Sequence, residues 1–304
     1  MISVVTPTYN ESGNLPLLYE RLLKILDTIG KKWEWIIVDD HSEDETFDIA
    51  SSIAHRDERV YVLRLSRNFG SHTAATCGFH QAKGECAILM AADLQDPPEI
   101  IPELLAQWQE GAQVVWAARD GREEQKNATT GFSRAYYFLM RRWVGFKNMP
   151  AAGADFFLLD RCVLDAFSQF QENNVSLMAL ITWMGFRQAT ITYHKQPRLQ
   201  GHSGWTFEKK LKLVIDSVSS FSYLPIRWIS YVGFFIGLIG LLLLVIRAWM
   251  IAALLILSGI QMLMLGVLGE YLWRALDESR RRPRYLIEKS TGRRTHETKP
   301  ISSF

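Results

Sequence analysis

The chain has 304 residues, 48% of them hydrophobic, and a formal net charge of +2. That length accommodates one large domain with additions, and the near balance of charge, with no nucleic-acid-binding motif, argues against a DNA or RNA partner. Three cysteines, Cys77, Cys86 and Cys162, are odd in number and lack metal-site spacing, which excludes a disulfide framework and fits a reducing compartment.

In chain order, Met1 leads straight into an apolar strand over residues 2–6 with no signal-peptide pattern, so the N-terminal part is expected to stay in the cytoplasm. Leu15, Leu18, Leu22, Ile25 and Ile29 recur at helical spacing and predict a helix over 15–29. A strand follows over 33–39. Ser42 with Glu45 three residues on has the form of a capping box, which predicts a helix start there. Further strands are expected over 60–65, 86–90 and 114–118, and Pro97-Pro98 is expected to open a helix over 99–110. This alternation predicts a mostly parallel sheet with helices on both faces, whose ligands bind beyond the carboxyl ends of the strands. The polar groups collect at those ends: Tyr9-Asn10-Glu11, Asp39-Asp40, Arg67-Asn68, Asp93 to Asp96, and Arg119-Asp120.

Past residue 120 the pattern loosens into a polar loop over 120–130, an amphipathic helix over 132–144, a strand over 156–159, a helix over 175–184 and a strand over 188–194. Trp205, Phe207, Leu211, Ile215 and Val218 mark an amphipathic helix with lysines opposite, suited to a membrane surface. Residues 229–268 then carry one charge, Arg247. As a single helix that run would be about 60 Å long, roughly twice the hydrocarbon core, so it reads as two spans over 229–246 and 250–268. A re-entrant hairpin is the alternative. Residues 205–304 carry 14 Lys/Arg against 7 Asp/Glu, while the first 204 carry 20 against 25. The basic excess flanks the apolar run on both sides, which places both ends in the cytoplasm. The expected organisation is therefore a cytoplasmic domain over 1–204, a juxtamembrane helix region over 205–228, a hairpin over 229–268 and a basic tail over 269–304. The last dozen residues are polar and read as disordered.

No Gly-x-Gly-x-x-Gly follows a strand and no Walker loop is present, so dinucleotide and P-loop readings fall away. What remains is acidic. Taken alone, Asp40 reads as a turn former or cap, and Asp93 equally as a cap on the next helix. With Gln95 and Asp96 beside it, however, Asp93 also offers the oxygen ligands that hard cations take.

The segments VVTPTYNESGNLP, IIVDDHSEDET, LSRNFGSHTAATCGFHQAKGE and ADLQDPPEIIPELL resemble glycosyltransferase family 2. With the lead-in SFSYLPIR, the paired apolar spans and the exit GVLGEY, the chain is similar to the polyprenyl-phosphate branch, dolichyl-phosphate mannose synthases and bactoprenol glucosyltransferases. The resemblance covers nearly the whole chain. It implies an α/β fold of the GT-A nucleotide-diphospho-sugar transferase type, Rossmann-like, followed by the interfacial helix and transmembrane hairpin. It also implies that Pro7, Tyr9, Glu11, Val38 and Asp40 cradle the nucleotide. Ala92, Asp93 and Gln95 would lie along the diphosphate, with Asp93 and Gln95 on a divalent cation, Mg²⁺ or Mn²⁺. Arg119 and Arg198 would contact the sugar-phosphate region, and Asp93, Asp155 and Arg198 are the candidate catalytic residues.

Three departures stand out. The first acid of the family's Asp-x-Asp is Ala91, a lysine is replaced by Gly204, and Phe156-Phe157 stands where Phe-Arg is common. The implied reaction is an inverting transfer of a hexose, from a UDP-linked donor, to a polyprenyl (undecaprenyl) phosphate at the cytoplasmic (inner) membrane, serving cell-envelope glycan modification. A phosphate nucleophile needs no strong base, and the motifs offer no evident histidine relay. The lipid bilayer is the implied partner, and a homo-oligomer is left open. Two alternatives stand beside this reading: a processive polysaccharide synthase, whose Gln-x-x-Arg-Trp is missing its glutamine at Leu139–Trp143, and a catalytically impaired nucleotide-sugar-binding scaffold, suggested by Ala91 and Gly204.

Overall fold

The computed structural model describes residues 1–119, 155–170, 176–194, 196, 250–279 and 282–292. Strands β1 (Ile2–Thr8), β2 (Trp33–Asp39), β3 (Val60–Leu65) and β4 (Cys86–Leu89) alternate with helices α1 (Leu15–Ile29), α2 (Thr46–Arg56) and α3 (Ser71–Gln81). A 3₁₀ turn at Pro98–Ile100 leads into α4 (Ile101–Gln109), then come β5 (Val114–Arg119), β6 (Phe156–Asp160), α5 (Arg161–Phe167), α6 (Leu177–Trp183) and β7 (Gln188–Tyr193). Helix α7 (Met250–Ser279) and strand β8 (Ile287–Thr291) complete the described elements.

The strands form one sheet in the order β7-β5-β6-β4-β1-β2-β3-β8. Among the described residues β1–β2, β1–β4, β2–β3 and β5–β7 pair parallel. Antiparallel pairing is confined to β4–β6, β5–β6 and β3–β8. The expected mostly parallel α/β sheet is present. Strand β2 is buried along its whole length, as parallel strands covered on both faces must be. Neighbouring residues face opposite ways. Val4 joins α1, α2 and α4 in one core, with Leu18, Leu22, Ile53 and Leu104, while Val5 joins α3, α5 and α6 in the other, with Ala74, Cys77 and Phe167.

Several boundaries differ from expectation. Helix α2 begins at Thr46 rather than at Ser42, and no capping box forms, because the Ser42 hydroxyl donates to Asp39 Oδ1 instead. Asp44 takes over, its Oδ1 accepting the Thr46 N–H at 3.0 Å. The two prolines yield a 3₁₀ turn before α4, which delays the expected helix by two residues. Helix α3 had no prediction because Ala74 to Phe79 are all buried, leaving no polar stripe to give it a period. The short α5, capped by the Asp160 side chain, also escaped prediction.

Within the stretch expected as a basic tail, α7 runs on through Glu270, Arg274 and Asp277 to Ser279, and β8 docks antiparallel on β3, while residues 280–281 and 293–304 lie outside the described residues. Among the described residues, no helix is long and apolar enough to cross a membrane, so the transmembrane hairpin expected over 229–268 is not borne out. Its first half, the loop over 120–130 and the helices expected over 132–144 and 205–228 lie outside the described residues.

Helix α3 lies close enough on β1 that only glycine fits at position 78. A Cβ built there would stand 2.3 Å from Val5 Cγ1 and 3.3 Å from Val38 Cγ2. Both neighbours are β-branched and cannot swing away at low cost. Gly78→Ala is expected to destabilise the domain by about 1–3 kcal/mol through overpacking. Thermal unfolding of the two proteins under matched conditions measures it.

Candidate active site

Strand order reverses between β1 and β4, so the crevice beyond their carboxyl ends is the topological switch point where such sheets bind ligands. Three strands ending there stop the same way. Asn10 after β1 (φ 57°), His41 after β2 (φ 62°) and Leu94 after β4 (φ 58°) are the left-handed non-glycine residues among those described. Asn and His tolerate that region, whereas for leucine it is a genuine outlier, of the kind that surrounding structure must enforce. Burial of the Leu94 side chain in the core supplies the enforcement.

At the end of β1, Asn10 and its turn are stitched to β2. The Asn10 N–H donates to Ser42 Oγ at 2.9 Å, Asn10 Oδ1 accepts the Glu43 N–H at 2.9 Å, and the Glu11 N–H donates to Thr46 Oγ1 at 2.8 Å. Glu11 Oε2 accepts from Asn14 Nδ2 at 2.6 Å. Tyr9 is exposed beside them and Pro7 partly so.

At the end of β2 two carboxylates are buried back to back. Asp39 Oδ1 accepts both the N–H and the hydroxyl of Ser42, while Oδ2 has no hydrogen-bond partner and faces the Arg64 guanidinium at 3.5 Å. A buried acceptor left over in this position suits a ligand donor. Asp40 accepts the backbone N–H groups of Phe69 and Gly70, each at 2.7 Å, and so ties β2 to the start of α3. Burial pushes its carboxyl up to about 6 against those two donors, and the Asp39 carboxylate adds to the rise. Each Asp40 oxygen thus accepts one backbone N–H and keeps a second lone pair for a ligand donor.

At the end of β4, Asp93 is buried and its Oδ1 accepts the Gln95 N–H at 3.2 Å. Asp96 accepts the Tyr193 hydroxyl, and the Gln95 carbonyl accepts the Gln196 N–H at 2.9 Å, so the loop is bound to β7. The side chains expected to hold a divalent ion would offer one carboxylate, Asp93, and the Gln95 amide, since Ala91 contributes no oxygen. No group of three or more metal-ligating side chains occurs among the described residues. Two oxygens fit Mg²⁺ or Mn²⁺ where substrate phosphates complete the shell, as these ions accept.

The expected site residues Pro7, Tyr9, Glu11, Asp93 and Gln95 therefore share one sheet edge. Val38 and Ala92 lie there too, but their side chains are buried in the core, which leaves their backbone to a ligand. Asp155 is exposed just before β6, whose Phe157 pairs with Leu89 at the same edge. Arg119 ends β5 opposite Tyr193; its side chain, and all of Arg198, lie outside the described residues. Sequence reasoning missed His72, in the first turn of α3. Burial lowers its imidazole below the usual range, and the Asp155 carboxylate pulls the other way. His72 therefore lies within electrostatic reach of Asp155, and the sequence carries no spacing that pairs positions 72 and 155.

Residues 3–167 match the glycosyl transferase family 2 domain. The chain belongs to glycosyl transferase family 2. An uncharacterized glycosyltransferase of Synechocystis is 35% identical over 96% of this chain and 96% of its own length. A protein of Shigella flexneri named as a prophage-derived bactoprenol glucosyl transferase is 30% identical over 95% of this chain and 98% of its own. Among solved structures, glucosyl-3-phosphoglycerate synthase of Mycobacterium tuberculosis, in complex with Mn²⁺, UDP-glucose and phosphoglyceric acid, superposes with a TM-score of 0.52. It covers 72% of this chain and 79% of that one at 14% identity, a likeness of fold. The family assignment makes this chain a hexosyltransferase using a nucleotide-sugar donor.

The buried Asp40 gives this edge a pH signature. Because its carboxyl is raised from 3.8 to about 6, the folded chain holds a proton that the unfolded chain has released between those values. Asp40's own contribution to stability is then expected to fall as pH rises from about 4 to about 6 and to level off above, against the opposite trend from Asp44, Asp57, Glu99 and Asp160, whose carboxyls are held low. Asp40→Asn should remove that component. At neutral pH it should also cost about 1–3 kcal/mol, because an anionic acceptor of two amides is lost. Unfolding curves collected across that pH range check both.

Proposed function

We propose that the chain transfers a hexose from a UDP-linked sugar to a polyprenyl phosphate, with inversion, at the cytoplasmic face of a membrane. The observation that carries the acceptor half is the end-to-end similarity to the bactoprenol glucosyl transferase of Shigella flexneri, at 30% identity over 95% of this chain. Exposed apolar side chains along α7, among them Leu254, Leu265, Leu268 and Leu272, support a lipid contact, since so much exposed hydrocarbon on one helix calls for a partner. The apolar run over 229–268 and its basic flanks support the same placement.

The donor lies across the switch point. Its nucleotide sits against Tyr9, Glu11 and the Asp39 end of β2, and its diphosphate runs toward Asp93 and Gln95. A divalent cation bound at Asp93 and Gln95 supplies charge neutralisation for the departing diphosphate. Arg119 and Arg198 grip phosphate oxygens, the task a planar guanidinium suits. The acceptor phosphate loses its second proton at about pH 6 and arrives largely as a dianion. The protein's work is then to hold two anionic partners in line and exclude water. Asp155 stands at the acceptor side, where its carboxylate can accept a hydrogen bond or the remaining proton from a monoprotonated acceptor phosphate.

Incubating the purified chain with radiolabelled UDP-hexoses, undecaprenyl phosphate and Mg²⁺ or Mn²⁺ tests the reading. Chloroform-soluble label is expected, abolished by a chelator and reduced about a hundredfold or more by Asp93→Ala. Aqueous polymer, or nucleotide binding without any transfer, would overturn it. Asp155→Asn is expected to raise the acceptor KM more than the donor KM, read from initial rates.

A further inference from the structure

Strand β8 brings a carboxylate to the nucleotide end of the site from the far end of the chain. Its ladder with β3 runs Val62↔Thr291, Leu63↔Ser290 and Arg64↔Lys289, then slips so that Leu65 pairs with Ile287. Glu288 is the residue left over, and a bulge of this kind re-aims a side chain. Glu288 Oε2 lies 3.3 Å from Arg64 Nε and 3.4 Å from His41 Nδ1. Arg64 in turn lies 3.5 Å from Asp39 Oδ2 and donates to the Ser42 carbonyl at 3.0 Å. His41 Nδ1 is also 3.0 Å from the Leu65 carbonyl. One carboxylate thus lies within ion-pair distance of both the arginine beneath Asp39 and the left-handed residue that turns the chain after β2, although Arg64 Nε makes no hydrogen bond to it.

We propose that Glu288 is a positioning residue for the nucleotide half of the donor, acting through Arg64 and His41 on the turn from Asp39 to Ser42. The inference rests on the nucleotide-sugar reading of this edge. Sealing the β3 edge does not require it, because strand pairing uses backbone groups alone. Nor does stability account for it, since partly exposed ion pairs contribute about 0–1 kcal/mol. What the bulge adds is a fixed direction for Arg64, whose guanidinium is otherwise shared loosely between carboxylates. Asp39 then keeps its unpartnered oxygen in place.

The test uses the full-length protein in detergent or lipid nanodiscs. UDP affinity is measured by calorimetry, and donor KM and kcat by the chloroform-extraction assay. Glu288→Gln is expected to raise both the UDP Kd and the donor KM about fivefold, a coupling of ordinary size for neighbouring charged groups, with kcat and acceptor KM within about twofold. In an Arg64→Gln background the same change should add less than about twofold, because the two act as one unit. Glu288→Asp should recover part of the loss. Ser290→Ala, on the same strand but opposite Leu63 and outside the network, should leave all constants unchanged and so controls for loosening of β8. A UDP Kd unchanged in Glu288→Gln, or raised equally in Ser290→Ala, overturns the positioning role and leaves the donor reading intact. Failure of the unmodified protein to bind UDP or GDP overturns both.

Discussion

Strand β1 has a parallel partner on each side, and the chain leaves it in opposite directions to reach them. The path through β2 and β3 builds one half of the sheet, and β4 starts the other. No crossover helix can cover the gap where the two directions part, so an open crevice is forced at the carboxyl ends of β1 and β4. Every residue assigned to the site inherits its place from that constraint. Left-handed residues at Asn10, His41 and Leu94 then stop three strands within the crevice rather than beyond it.

Much of this was legible because the early strands are short apolar runs with polar ends, and because α1 repeats its leucines at helical spacing. The motifs around Asp39-Asp40 and Asp93 fall at one edge of the sheet. Individual surroundings were less legible. Asp40 reads as a ligand-binding acid by position, and its oxygens also accept the Phe69 and Gly70 N–H groups from a loop nearly thirty residues away. Asp39, equally acidic and one residue earlier, keeps an unpartnered oxygen. Only the phase of the strand distinguishes them, and that phase is set by tertiary pairing. His72 and Asp155 are brought together by α3 packing across the sheet, which no local pattern announces. Strand β8 was hidden for another reason: IEKST is short and two of its five residues are charged, and it becomes a strand by pairing with the edge that β3 offers.

The crevice is electrically layered. Its floor at β2 is a buried pair of adjacent carboxylates, moderated by backbone amides on Asp40 and by a guanidinium and Ser42 on Asp39. Such a floor would repel a diphosphate placed on it, which favours the proposed run of the phosphates toward Asp93 beyond β4. The substitution of Ala91 for a second acid lessens that repulsion at the phosphate end. A site poor in carboxylates there depends more on its arginines and on the charge a bound cation brings.

The pairing of β3 with β8 also has a consequence for biosynthesis. About 220 residues separate Leu65 from Ile287, so at about 5–20 residues per second the ribosome needs on the order of ten to fifty seconds to deliver the last strand after the third. During that interval the nascent sheet presents a bare edge, the kind of surface through which unfinished chains stick to one another. Arg64 sits next to the carboxyl end of that edge, and a charged residue there is a common deterrent to wrong partners. The guanidinium thus has two successive occupations: guarding an incomplete polypeptide, and later receiving the carboxylate that arrives with its final segment.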